Sequence, residues 1–155
     1  HEVFVTVSIG MTSNARNYQR VEDVITDVSV AASRAKEGGK NRHEVFDTQM
    51  RIEAMTLMRL EMSLRKAIDG GEFELHYQPI VKLVSGDLVG FEALIRWRLP
   101  KGGTVPPNEF IPVAENTGLI VPIGEWALAE AARQLAQWYQ AFGLAPSTLS
   151  VSVNV

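Results

Sequence analysis

Glu92 and Arg96 are the charged side chains of an otherwise apolar run, residues 90–97 (GFEALIRW). Taking a carboxylate or a guanidinium out of water is costly unless the group is paired, hydrogen-bonded or bound to a metal. The run therefore predicts that both charges serve a binding or catalytic site. The alternative is a structural salt bridge between them, because side chains four residues apart share one face of a strand.

Three segments of the chain alternate between apolar and polar residues, as strands do when one face is buried. The polar positions that share a face are Glu74, His76 and Gln78 in the first segment, Glu92 and Arg96 in the second, and Ser150, Ser152 and Asn154 in the third. This alternation is typical of a half-exposed antiparallel sheet whose outer face is solvated. It is also typical of a barrel whose outer face packs on helices and whose polar inner groups converge at the strand ends.

The composition narrows the classes of partner. The chain has 155 residues, of which 46% are hydrophobic and 21% are charged, as in one ordinary folded domain. A net charge of -3 gives no electrostatic reason to expect nucleic acid or an anionic membrane as a partner. The absence of cysteine excludes disulfides and thiolate metal sites and suits the cytoplasm. No apolar run approaches the roughly 20 residues that span a bilayer, so no direct membrane contact is expected.

The remaining periodicity predicts the elements that must position these residues. Asn108 is expected to cap a short helix, and Gly118 to end it. A helix over 49–69 either packs on one domain or serves an interdomain or dimer contact. Because the chain opens and stops inside strand patterns, we expect a segment of a longer protein. The expected strands are 3–10, a short one at Val45-Phe46, 73–82, 88–97 and 148–155, and the other expected helices are 21–36 and 121–142.

Several motifs that follow one another between about residue 57 and residue 155 resemble the start of an EAL domain. They are 73–80 (FELHYQPI), 90–97 (GFEALIRW), 107–120 (PNEFIPVAENTGLI), 123–126 (IGEW) and 151–154 (VSVN). The resemblance implies a variant TIM barrel. It also implies hydrolysis of cyclic di-GMP to its linear dinucleotide with two divalent metal ions, Mg²⁺ or Mn²⁺.

The resemblance also implies roles for individual residues. By position, Glu92 resembles the family's first metal-ligand carboxylate, and Asn154 resembles its metal-binding asparagine. Arg96 resembles the arginine that meets a substrate phosphate, and Gln78 and Leu94 would lie in the substrate groove. These residue types suit the chemistry, because carboxylate and amide oxygens are hard ligands and a guanidinium offers a fork to phosphate.

The first part of the chain resembles the C-terminal end of a GGDEF, diguanylate-cyclase-like domain. The resemblance rests on 7–10 (VSIG) and 35–42 (AKEGGKNR). By position, Lys36 and Lys40 match basic residues that approach a nucleoside triphosphate, although Lys40 stands where arginine is usual. The alternative is a solvated helix end, where cations are favoured by the helix dipole.

These observations predict an α/β chain with three parts. Residues 1–47 would be the strand-helix-strand tail of a GGDEF domain, and 48–70 a connecting helix. Residues 71–155 would be part of an EAL-type TIM barrel, comprising its first antiparallel strand pair, helices and third strand. The general base and the other acidic ligands would lie beyond Val155, so we expect the segment alone to be inactive.

The leading functional hypothesis is part of a cyclic di-GMP phosphodiesterase in the cytoplasm, with a homodimeric parent protein that binds no nucleic acid. One alternative is a non-catalytic receptor for cyclic di-GMP. The other is a dimerising signalling module whose nucleotide sites are inactive.

Overall fold

The computed structural model describes residues 3–13, 18–145 and 148–154. The chain divides into two compact units, His1–Arg59 and Leu60–Val155. Among the helices of the described ranges, none combines the length and the apolar character needed to cross a bilayer.

The first unit follows a strand-helix-strand order, as predicted. Its elements are β1 (Ile9–Met11), α1 (Val21–Glu37), β2 (His43–Val45) and the first part of α2 (Thr48–Gly70). The two strands are parallel, with Ile9 opposite His43. The strand expected over 3–10 is wrong in extent. Its partner β2 has three residues before the chain turns into α2, so the ladder contains three residue pairs.

A buried carboxylate organises the first unit. Asp27 on α1 is fully buried, and Arg51 on α2 donates from Nε to its Oδ1 at 2.9 Å and from Nη2 to its Oδ2. The hydroxyl of Tyr18 donates to Oδ2 at 2.6 Å, and this bond raises the pKa of Tyr18 above its ordinary value. A buried carboxylate persists here because its oxygens accept charge-assisted hydrogen bonds.

The second unit is built on a four-stranded sheet. Strands β3 (Phe73–Val81) and β4 (Leu88–Arg98) are antiparallel, and β6 (Ser150–Val153) runs parallel to β4. These strands confirm the predicted positions, although β6 is shorter than expected and residue 155 lies outside the described residues. A two-residue strand, β5 (Thr104–Val105), pairs with the end of β4 and was not predicted.

Two helices follow the strand pair, α3 (Pro107–Thr117) and α4 (Ile120–Phe142). Gly118 ends α3 in the left-handed region with φ 74°, as predicted. The predicted cap at Asn108 is wrong, because the N-cap is Pro106, two residues earlier, and it makes no side-chain cap bond. Pro107 then occupies the first helical position, where its fixed φ and missing N–H are favourable.

The odd-numbered face of β3 and β4 forms the core of the second unit. Trp97 and Phe110 are fully buried, and Phe73 lies 6.1 Å from Trp97 and 6.0 Å from Phe110 between ring centroids. The indole Nε1 of Trp97 donates to Oε2 of Glu72 at 2.9 Å. Leu64 and Ala67 of α2 complete this cluster. The apolar face thus packs on helices, whereas closure of the strands into a barrel stays a prediction.

Candidate functional site

The register of the sheet assembles polar residues on the even-numbered face. Glu92 on β4 lies opposite Gln78 on β3 and opposite Ser152 on β6. Because strand residues alternate between faces, these three side chains share one side of the sheet. Residues that are distant in sequence therefore form one row across three strands.

Glu92 and Asn154 are hydrogen-bonded to each other. The Nδ2 of Asn154 donates to Oε1 of Glu92 at 2.8 Å, directly after the last paired residue of β6. The sheet thus brings together the two residues that the sequence suggested as metal ligands. With its amide rotated by half a turn, Asn154 would direct Oδ1 to the same point as the carboxylate, which is the donor pair that a hard divalent cation prefers.

The donors present fit a divalent cation as two of its ligands. Within the described residues, no group of three or more His, Cys, Asp or Glu side chains converges on a point where a metal could bind. Mg²⁺ usually keeps several waters and takes one or two protein carboxylates, so a carboxylate and an amide are compatible with it. They do not by themselves hold two ions.

Gly90 permits the approach of β6 to β4. A Cβ at this position would lie 2.5 Å from the backbone oxygen and 2.5 Å from Oγ of Ser150. Real Cβ atoms do not approach a backbone oxygen so closely, so a larger residue would push the strands apart. Because Asn154 directly follows β6, the close approach at Gly90 helps to place Asn154 beside Glu92.

Arg96 does not pair with Glu92. Its Nη1 donates to the backbone oxygen of Ile95 at 2.8 Å, and the described residues contain no salt bridge between Arg96 and a carboxylate. The alternative drawn from the sequence, a structural salt bridge between Glu92 and Arg96, is therefore wrong. Arg96 is half-buried, and its guanidinium has further N–H donors besides the one bonded to Ile95.

The cross-strand neighbour of Arg96 belongs to a second charged group, which we name the Glu74 cluster and which consists of Glu74, His76 and Arg98. Oε1 of Glu74 accepts a hydrogen bond from His76 Nε2 at 2.8 Å and forms a salt bridge with Arg98 Nη2 at 3.1 Å. The hydrogen bond from His76, together with the charge of Arg98, holds the pKa of the Glu74 carboxyl below its ordinary value. The sequence assigned His76 no role, although its even position in the strand placed it on the face of Glu92.

The residues predicted to line a substrate groove lie on the same face. Gln78 is exposed beside Glu92, and half-buried Leu94 lies opposite His76. Leu94 therefore separates the row that contains Glu92 from the row that contains Arg96.

The two lysines predicted to approach a nucleotide lie in the first unit, and both are exposed. Lys36 is in the last turn of α1, and Lys40 is in the following turn with φ 61°. The backbone N–H of Lys40 donates to the carbonyl of Ala35 at 3.1 Å. This bond fixes the backbone of the turn and leaves the lysine side chain in solvent.

Comparisons with known proteins identify relatives of this chain. The sequence model described as "EAL domain" matches residues 61–155. The bifunctional diguanylate cyclase/cyclic di-GMP phosphodiesterase MucR of Pseudomonas aeruginosa is 39% identical over 138 residues, which cover 89% of this chain and 20% of MucR. Cyclic di-GMP phosphodiesterase PdeR of Escherichia coli is 35% identical over 88% of this chain and 21% of PdeR.

A solved structure described as the PaMucR phosphodiesterase in complex with c-di-GMP is also similar. It has a TM-score of 0.57 and 42% sequence identity, over 63% of this chain and 38% of that one. The chain spans about a fifth of the length of the curated relatives it matches.

Proposed function

We propose, since this chain belongs to the EAL domain family, that it forms part of a cyclic di-GMP phosphodiesterase that depends on Mg²⁺ or Mn²⁺. The product would be the linear dinucleotide. The observation that carries the proposal is the hydrogen bond between Asn154 and Glu92, because two oxygen-bearing side chains meet on the sheet face that also carries Arg96, which pairs with no carboxylate of the described residues. Relatives named as cyclic di-GMP phosphodiesterases support the substrate.

We also propose the domain organisation. Residues 71–155 would be the N-terminal part of an EAL barrel, which the antiparallel β3–β4 pair and the parallel β4–β6 pair support. Residues 48–70 would connect it to the tail of a GGDEF domain at 1–47, where β1, α1 and β2 form a parallel strand-helix-strand unit. Lys36 and Lys40 would then face the triphosphate of that domain's nucleotide. The parent protein would be a cytoplasmic homodimer.

The geometry suggests a role for each of these residues in hydrolysis. Glu92 and Asn154 would hold a divalent ion, which when bound supplies an activated water and charge stabilisation for the leaving oxygen. Arg96 would bind and orient the phosphodiester through its guanidinium fork. Gln78, exposed one strand away, would contact the nucleotide beside the metal. Hydrolysis would need further acidic ligands and a general base from the complete protein, so this chain alone would be inactive.

The test is hydrolysis by the parent protein expressed to its natural ends. Cyclic di-GMP is incubated with Mg²⁺ or Mn²⁺, and the linear dinucleotide is followed by chromatography. We expect Glu92→Ala to lower turnover at least about a hundredfold, as loss of one strong electrostatic contact to a reacting group does. Glu125→Ala, at an exposed position of α4, is the matched control and should retain activity. Intact substrate with the unaltered protein, or equal turnover by Glu92→Ala, would contradict the proposal.

A second candidate is a receptor that binds cyclic di-GMP without cleaving it. The observation in its favour is that the described residues contribute two metal donors and no larger acidic or histidine group. Binding of cyclic di-GMP in EDTA, together with no product when metal is restored, would select the receptor.

A further inference from the structure

We propose that the Glu74 cluster is a second anion-binding subsite, in which Arg98 and His76 take one phosphodiester of the cyclic dinucleotide while Arg96 takes the other. Glu74 would act as the internal counter-ion that occupies this subsite when no nucleotide is bound. The inference rests on the proposed function, because it names a further contact for the same substrate.

The position of the cluster is the first argument. Glu74 lies directly opposite Arg96 in the β3–β4 ladder, and Arg98 follows Arg96 by two residues on the same face of β4. Two residues of an antiparallel strand span about 6.8 Å, which arginine side chains can adjust by several ångströms. A cyclic dinucleotide carries its two phosphodiesters on one ring, so two neighbouring guanidinium groups can each bind one of them.

The accessibility of the donors is the second argument. The side chain of Arg98 is 65% exposed and that of His76 is 56% exposed. Both contact a single oxygen of Glu74, and the guanidinium of Arg98 retains further N–H donors toward solvent. A ligand can therefore reach them without rearrangement of the core.

The pairing of the charges is the third argument. The carboxylates of Glu72 and Glu74 both lie near Arg98, but Glu72 accepts the indole N–H of Trp97, and Arg96 is not bonded to Glu74. Salt bridges as exposed as this one contribute little to stability. A phosphodiester would replace Glu74 as the partner of Arg98 and would accept charge-assisted hydrogen bonds from the arginine fork.

The ion pair between Arg98 and Glu74 is tested by removing each partner in turn, because the proposal predicts opposite changes in the affinity for cyclic di-GMP. Removing the cation with Arg98→Gln should weaken binding of cyclic di-GMP about tenfold, the loss of one charge-assisted contact. Removing the competing carboxylate with Glu74→Gln should tighten binding about threefold, since the subsite no longer carries its own counter-ion. If the ion pair serves only the fold, neither substitution can strengthen binding.

Binding is measured by calorimetry on the parent protein in EDTA, where hydrolysis cannot occur, and KM is measured with Mg²⁺ as a second readout. The matched control is the ion pair between Glu130 and Arg133 on α4, tested as Glu130→Gln and Arg133→Gln. Neither should change Kd or KM. Arg98→Lys retains the cation and should recover most of the affinity, and thermal unfolding confirms that each variant is folded.

Opposite effects of Arg98→Gln and Glu74→Gln, with unchanged controls, support the subsite. Equal affinities for all variants, or a loss in both, would overturn the subsite and leave the proposed function standing if the unaltered protein hydrolyses the nucleotide. An unaltered protein that neither binds nor hydrolyses cyclic di-GMP would overturn both proposals.

Discussion

The strand pair β3–β4 and the end of helix α1 both carry side chains predicted to contact a nucleotide, but they hold them in different ways. On the strands, the ladder fixes each neighbour, as it does for Gln78 and Glu92. At the helix end, Lys36 and Lys40 extend into solvent from a last turn and from a tight turn.

The difference shows what spacing alone can determine. Side chains of a strand have a period of two, so a single register decides which residues of three strands share a face. Residues at a helix end have no neighbour fixed by a strand register, and the helix dipole favours cations there whether or not a ligand is present. A site predicted on paired strands can therefore be tested with a substitution that displaces one strand. A site predicted at a helix end is tested by substituting each residue separately.

The largest expected effect comes from separating β6 from β4. Gly90→Ala would place a Cβ 2.5 Å from the backbone oxygen of Ser150. We expect the free energy of unfolding to fall by about 1–3 kcal/mol, as for other overpacked positions. The hydrogen bond between Asn154 and Glu92 should lengthen as well, because Asn154 directly follows β6. Denaturant unfolding and phosphodiesterase activity are the measurements.

The matched control for this substitution is Gly70→Ala at the end of α2. There a Cβ would meet the nearest atom, Oε1 of Glu72, at 3.4 Å, which is an ordinary contact. This variant should be neutral or slightly more stable, since alanine restricts the unfolded chain. Equal destabilisation by both substitutions would contradict a specific role for Gly90 in the strand register.

A smaller effect is expected from removing one of the two candidate metal donors. Asn154→Ala should lower the affinity of the parent protein for Mn²⁺ about tenfold or more, a loss of the size seen when metal-site residues are removed. Titration calorimetry with Mn²⁺ measures it.

The matched comparison is Asn154→Asp, which replaces the amide with a second carboxylate beside Glu92. This variant should retain metal binding and should be stabilised by metal more than the unaltered protein, because the ion relieves the repulsion between the two carboxylates. Unchanged Mn²⁺ affinity in Asn154→Ala would show that Asn154 is only a polar strand end.

The alternation of the strands made much of the candidate site predictable. The even positions of the three strands place Gln78, Glu92 and Asn154 on one face, and the odd positions place Phe73 and Trp97 in the core. Both follow from the strand period and from the transfer of apolar groups out of water. The contacts of Arg96 did not follow, because spacing alone allowed a salt bridge to Glu92 and could not show that the guanidinium bonds to Ile95.

Features that depend on tertiary contacts were not predictable from local patterns. Asp27 lies at helical spacing from the buried Ala31 and Ala35, but no local pattern identifies Arg51, 24 residues later, as the partner that supplies its counter-charge. The start of α3, by contrast, depends on an adjacent residue. Asn108 is a good capping residue, but Pro107 is better suited to the first helical position and moves the helix start.

The smallest expected effect tests the helix end. Lys40 lies at φ 61°, a region that costs an L-residue about 1–2 kcal/mol relative to glycine. Lys40→Gly should therefore raise the free energy of unfolding by about 0.5 kcal/mol after the larger backbone entropy of glycine is included. The same substitution at Lys36, inside α1, should lower it by about 0.5–1 kcal/mol. Denaturant unfolding of both variants measures the pair. A loss of stability in both variants would show that the turn after α1 does not hold Lys40 in the left-handed region.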